Sequence, residues 1–316
     1  MSAVAYPLKL LPRYLPKPWG GRRMEDLFGR PLPSGVSVGE SWELYDRPDG
    51  ASIIGNGPLA GHTVAELRGN RPIPLLTKIL DARSTLSVQV HPDEEASREL
   101  DAESKSEAWY VIEAAPGAKV YKGLCGGVRA PDLLEAIAAG RVADCLHSFS
   151  PRAGDVIFLP AGTVHALGAG LLLFEVQQNS DTTYRLYDWG RDRPLQVREA
   201  MICADFTGPG LDLVEPTTVS DDGRHHRARR VSSPWFVLEE HEALGLVTFE
   251  TERRNRETWH VLFVLAGEGE IRPFRRGVEG AWFVPGDSIL LPSEYGEYEL
   301  APRPGQTVRL LSAFVP

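Results

Sequence analysis

Hydrophobic and polar positions alternate with a period of two along much of this chain, the spacing of strands whose side chains point to opposite faces. In LSVQVHP, Leu86, Val88 and Val90 share one parity, and Ser87, Gln89 and His91 share the other. A water-facing strand would carry Lys, Glu or Thr on its polar side, whereas this one offers a serine, an amide and an imidazole. VIFL, Val156 to Leu159, is another strand core with turn residues on both sides. Helical spacing is sparse. It predicts short helices at 24–28 and 95–100 and a longer one at 131–146, where Pro131 sits at a first helical position and Leu133, Leu134, Ile137 and Ala138 fall at helical spacing. The pattern predicts a mainly β protein built from many short strands.

The pattern also repeats. SEAWYVIEAAPG (Ser106 to Gly117) and RETWHVLFVLAG (Arg256 to Gly267) share Glu, Trp, Val and Gly 150 positions apart. GDVIFLPAGTVH (Gly154 to His165) and GDSILLPSEYGE (Gly286 to Glu297) share Gly, Asp, Ile, Leu and Pro 132 positions apart. The helix expected at 131–146 accounts for the difference in offset. Two copies of one small β-domain are therefore expected, at 1–222 and 223–316, the first decorated with a helix. The charged stretch DDGRHHRARR, Asp221 to Arg230, reads as the linker.

Composition narrows the function. With 42% hydrophobic and 24% charged residues the chain is an ordinary soluble globular protein. A formal charge of −9 argues against a nucleic-acid surface but leaves room for a small anionic substrate held by a few local cations. Cys125, Cys145 and Cys203 form no CxxC pair, so they read as packing residues in a reducing cytosol. The prolines and charges of MSAVAYPLKLLPRYLPKPWGG do not suit a signal peptide, and no run approaches the ~20 apolar residues of a membrane span. No membrane partner and a cytoplasmic location are expected.

The candidate chemistry starts at Gly154–x5–Pro160–x–Gly162–x2–His165, which resembles the second signature of cupins, jelly-roll β-barrels that hold a metal inside. Ala169 stands where that signature ends in asparagine. As a barrel strand, LSVQVHP would turn Gln89 and His91 inward. SKSEAWYV adds Lys105, Glu107 and Trp109 on one parity, with Glu107 the natural third ligand. A lone buried histidine is usually a core residue. Two imidazoles and a carboxylate, with the Gln89 amide as an optional fourth, instead suit zinc with an open position.

LLTKILDARSTLSVQVHPD, SKSEAWYV, GDVIFLPAGTVHAL and QQNSDTTYRLYDWGR occur in that order, with PKPWGG and GESWELYD before them. Together they resemble the type I mannose-6-phosphate isomerases, in their shorter bacterial form, across roughly Pro7 to Arg198. The resemblance implies two tandem cupin barrels and a zinc-dependent aldose–ketose isomerase. It would interconvert mannose 6-phosphate and fructose 6-phosphate through a cis-enediol. One zinc ion would sit in the first barrel on His91, Glu107, His165 and Gln89. Arg185 matches a catalytic arginine, while Lys105, Lys78, Ser87 and Asp181 fall on active-site positions. Asp181, Glu175, Lys105 and a metal-bound hydroxide stay open as carriers of the carbon-bound proton, Glu175 serving otherwise to bind substrate. No phosphate-binding glycine loop exists, so side-chain cations must hold the phosphate. Ser104 replaces a histidine of longer members, so no mechanism through that histidine operates here. The second copy has Glu297 in place of His165 and keeps Glu257, and is expected to be metal-free, with His241 and His260 incidental. The partner expected is a small phosphorylated sugar, and the assembly a monomer or homodimer. An iron-dependent cupin oxidoreductase and a non-enzymatic sugar-binding bicupin are the rival classes.

Overall fold

In Leu75–Ala82 every residue is buried, because the two faces of this strand meet different cores. Leu75 and Ile79 join a cluster with Phe263 and Leu290, while Leu80 and Ala82 join one with Leu86 and Leu167. The structure, a computed structural model, describes residues 6–67, 73–250, 259–274, 279–292 and 296–316. It is mainly β, with a few short helices.

The sheets stack in layers. A five-stranded sheet contains Val120–Leu124, His165–Leu167, Val88–Val90 and Tyr184–Tyr187 in that order, with Leu146–Phe149 outside Val120–Leu124. A six-stranded sheet runs through Val156–Leu159, Glu107–Ala114, Leu171–Gln178, Leu75–Ala82, Val38–Leu44 and Arg13–Gly21. Leu86, Val120 and Leu167 meet Trp109, Val111 and Leu173 between these two sheets. The other face of the six-stranded sheet packs Tyr110 and Phe174 against Val261, Phe263 and Leu311 of an eight-stranded sheet. A four-stranded sheet covers the far side, with Phe283 and Leu300 packed against Leu262 and Leu310. Leu8–Leu11 lies inside the eight-stranded sheet, pairing Leu8 with Leu290 on one side and Leu10 with Ile54 on the other.

The two parities of LSVQVHP meet different surroundings. Val88 and Val90 face outward into a cluster with Ala96, Leu133, Ala136 and Ala200, all on helices that cover the five-stranded sheet. Its polar parity faces the gap between the sheets, where Ser87 and His91 are buried.

The short helices form at Arg23–Phe28, ended by Gly29 at φ 63°, and at Glu94–Leu100, where the Asp93 carboxylate accepts from the Glu95 and Ala96 amides. The longer one is shorter than expected. Ala130–Ala138 is helical, Gly140 turns the chain at φ 68°, and Val142–Cys145 is a separate 3-10 turn. Val197–Cys203 is a helix that periodicity did not indicate.

The 221–230 stretch is not a linker. Thr217–Asp221 and His225–Ser232 form a hairpin at the edge of the eight-stranded sheet. Part of its charge is paired: Arg227 and Arg229 donate to Glu239 at 2.7 and 2.8 Å, and His225 meets His241 at 3.1 Å. Glu257 lies outside the described residues. Among the described residues no helix is long and apolar enough to cross a membrane.

Candidate active site

Sheet register lines up the polar side chains. Across the five-stranded sheet Arg185 pairs with Gln89, Gln89 with His165, and His165 with Lys122. Directly paired residues project from the same face. Across the six-stranded sheet Trp109 pairs with Glu175, Glu175 with Lys78, and Lys78 with Trp42. Glu107 lies two residues before Trp109 and so on its face. The two rows meet in the gap between the sheets.

There His91, Glu107 and His165 come together. Glu107 Oε2 is 3.3 Å from His91 Nε2, and its Oε1 is 3.3 Å from His165 Nε2. Both rings meet a backbone carbonyl at Nδ1, His91 that of Thr182 and His165 that of Thr163, each at 2.8 Å. Such bonds place the ring proton on Nδ1 and leave Nε2 as a lone pair. Burial holds both imidazoles below their usual pKa, with Lys105 adding to the effect, and His91 is pushed down to about 3. At pH 7 both rings are neutral, with Nε2 free to accept. The Gln89 amide nitrogen lies 3.2 Å from His165 Nε2, and rotating that amide end for end puts its oxygen in the same place.

This donor set fits a divalent cation. His91 Nε2 and both Glu107 oxygens are buried without a hydrogen-bond partner, although the Lys105 ammonium lies 2.8 Å from Oε2. Buried acceptors converging without donors are costly unless a cation satisfies them. Burial alone would raise the Glu107 pKa, but the Lys105 ammonium holds it well below the ordinary range.

Lys105 and Gln89 open onto a cavity of about 350 Å³, also lined by Lys78, Ser87, Glu175, Asp181 and Arg185. Lys78 is already engaged, lying 3.5 Å from Glu175 and 4.0 Å from both Glu40 and Asp181. Burial works against its charge, yet these carboxylates raise its pKa. Burial and the Glu107 charge raise Glu175, which also accepts from Trp109 Nε1 at 3.0 Å. Arg185 at the opposite wall donates to the Pro194 carbonyl at 2.8 Å, and its Nε is buried without a partner. Ser104 lines a different cavity and accepts from Gln178 Nε2 at 3.1 Å.

Lys17, Glu40, Thr183, Arg193 and Gln196 also line the pocket and were not singled out from the sequence. Lys17 and Glu40 lie in PKPWGG and GESWELYD. Their 2.9 Å ion pair follows only from the adjacency of the two strands that carry them.

A family model for the type I phosphomannose isomerase catalytic domain matches residues 8–113. The chain is 36% identical to a mannose-6-phosphate isomerase of Streptococcus mutans, over 92% of this chain and 93% of the relative. It is 31% identical to one of Bacillus subtilis, over 93% and 95%. The crystal structure of a mannose 6-phosphate isomerase from Bacillus subtilis superposes with a TM-score of 0.85 at 29% identity, covering 97% of this chain and 99% of that one. A phosphomannose isomerase from Salmonella typhimurium shares the fold, with a TM-score of 0.75 at 16% identity over 98% and 99%. With likeness at this level running nearly end to end, the chain belongs to the type I mannose-6-phosphate isomerase family.

Proposed function

We propose that this protein is a zinc-dependent isomerase interconverting mannose 6-phosphate and fructose 6-phosphate through a cis-enediol. In this reading zinc is held by His91, Glu107, His165 and Gln89. The observation that carries it is the buried convergence of His91, Glu107 and His165, whose potential ligand atoms lie within 4.8 Å of one another, beside a pocket walled by cations and carboxylates. Bound there, the ion would supply Lewis-acid polarisation of the sugar oxygens.

The chain's own residues do the rest. The reaction removes a proton from one carbon and returns it to its neighbour, with negative charge building on oxygen in between. Arg185 presents a permanently charged planar fork to that charge. Asp181, Glu175 and Lys105 line the pocket as the groups that take and return the proton. Lys78, pinned among three carboxylates, holds Glu175 and Asp181 in place and orients the substrate with Ser87. The two sheet pairs are read as tandem cupin barrels, divided at 222/223, in a cytoplasmic enzyme. The second barrel buttresses the first without a metal.

A coupled assay with mannose 6-phosphate tests the reading. Activity should disappear on chelation and return with zinc. His165→Ala should lose metal and turnover together while keeping its melting transition. Full zinc occupancy in that variant, or undiminished activity after chelation, overturns the assignment.

A further inference from the structure

Beyond Tyr184–Tyr187 the chain makes a loop over 188–196 that carries Arg191 and Arg193. One carboxylate organises it. Asp188 is 2% exposed and accepts from two guanidinium groups at once. Arg191 donates to Oδ1 through Nε at 3.0 Å and Nη2 at 2.7 Å. Arg193 donates through Nε to Oδ2 and through Nη2 to Oδ1, both at 2.6 Å. The clamp is also tied to the segment that leads into Ser87 and Gln89: Arg191 Nη2 reaches the Thr85 carbonyl at 2.8 Å, and Trp189 Nε1 donates to the Leu86 carbonyl. Trp189 holds φ 53°, a conformation uncommon for a bulky residue, so the surrounding contacts must enforce this turn.

The loop returns to Arg185. Its guanidinium donates to the Pro194 carbonyl at 2.8 Å, and its backbone amide donates to Gln196 Oε1 at 3.1 Å. Among the described residues no carboxylate forms an ion pair with Arg185, so a single loop carbonyl aims a long, rotamer-rich side chain. That carbonyl directly follows Arg193, which Asp188 grips.

We infer that Asp188 is a positioning residue for the isomerisation: by clamping Arg191 and Arg193 it fixes the loop whose Pro194 carbonyl points Arg185 into the pocket. The inference rests on the reading of Arg185 as a group that acts in turnover. Asp188 itself need not touch substrate, since it is absent from the cavity wall that Arg185 and Arg193 line. A displacement of roughly 1 Å in such a group can cost about 10²-fold in rate, so a remote clamp has leverage.

The test is a double-mutant cycle on the zinc-loaded enzyme with mannose 6-phosphate. Asp188→Asn should lower kcat about tenfold or more with little change in KM and unchanged metal content. Placed on Arg185→Lys, the same substitution should cost less than about twofold, because residues acting through one another are not additive. Arg191→Gln loosens the clamp from outside the pocket wall and should show the same pattern more weakly, which carries the test if Asp188→Asn fails to fold. Equal losses in both backgrounds, or a lowered melting temperature with kcat intact, would overturn the role of Asp188 while leaving Arg185 untouched. If Arg185→Lys alone keeps full turnover, both roles fall together.

Discussion

Arg185 and Lys78 are both cations on the pocket wall, but their surroundings differ. Lys78 is balanced by Glu175, Glu40 and Asp181, so its charge is compensated before a substrate arrives, and it serves to hold and orient. Arg185 has a carbonyl partner and a buried, unpartnered Nε, and burial together with Arg193 lowers its pKa without bringing it near neutrality. A charge held ready without an anionic partner is available to charge that develops during reaction. Arg185→Lys is therefore not conservative: it swaps a planar fork for a mobile, strongly hydrated ammonium. We expect turnover to fall about 10²–10³-fold, the scale of losing one oxyanion donor, with KM, zinc content and melting temperature near wild type. A variant that keeps its turnover and loses affinity makes Arg185 a phosphate anchor instead. The phosphate itself predicts that free mannose is a poor substrate, through lost binding. Equal kcat/KM on the two sugars would point to a neutral-sugar isomerase.

At the scale of strands, what could be read in advance was local. The parity of LSVQVHP and SKSEAWYV placed Gln89, His91 and Glu107 on inward faces, because period-two alternation needs no knowledge of the neighbouring strand. What stayed hidden depended on partners distant in sequence. The stretch Asp221 to Arg230 reads as a linker in the sequence because Glu239, which pairs with Arg227 and Arg229, belongs to the next strand. The Arg30–Glu43 pair was equally invisible. Glu43 is wholly buried and accepts from Arg30 at 2.6 and 2.9 Å and from Ser288 at 2.7 Å, linking the six- and eight-stranded sheets. Glu43→Ala strands a buried guanidinium, so urea denaturation should show a loss of about 3–5 kcal/mol; a change below about 1 kcal/mol would mean the cluster is not what joins the sheets. His260 is another such case. It stacks on Phe314 with Nε2 unpartnered, and burial lowers its pKa to about 4 despite Glu239, with Arg227 contributing. The unfolded chain takes up this proton near pH 6.5 and the folded chain only near 4, so the contribution is complete above 6.5 and is lost as pH falls through that window. His260→Leu should flatten the fall in melting temperature between pH 6.5 and 4; an unchanged slope would show that His260 titrates normally.

At the scale of the molecule, the question is whether the two repeats are separable. The sequence repeat suggests two copies joined in series, but Leu8–Leu11 crosses from the start of the chain into the eight-stranded sheet. There it covers Ser288–Leu291, which would otherwise be a sheet edge with unpaired backbone groups. The same sheet presents Val261, Phe263, Leu290 and Leu311 to the six-stranded sheet, an apolar face that the 223–316 segment cannot cover alone. Losing the strand and exposing the face act in the same direction, since each leaves a surface that seeks another chain. Expressed alone, 223–316 should therefore aggregate or give a collapsed NMR spectrum without a cooperative melt. Coexpressed as separate chains, 1–222 and 223–316 should assemble, because the cut falls in the exposed turn between Thr217–Asp221 and His225–Ser232. Leu8→Asp in the intact protein should reproduce part of the defect by placing a charge at a fully buried strand position. A dispersed spectrum and a sharp melt for 223–316 alone would show that the second copy closes its own sheet, and that the N-terminal strand is an addition rather than a requirement.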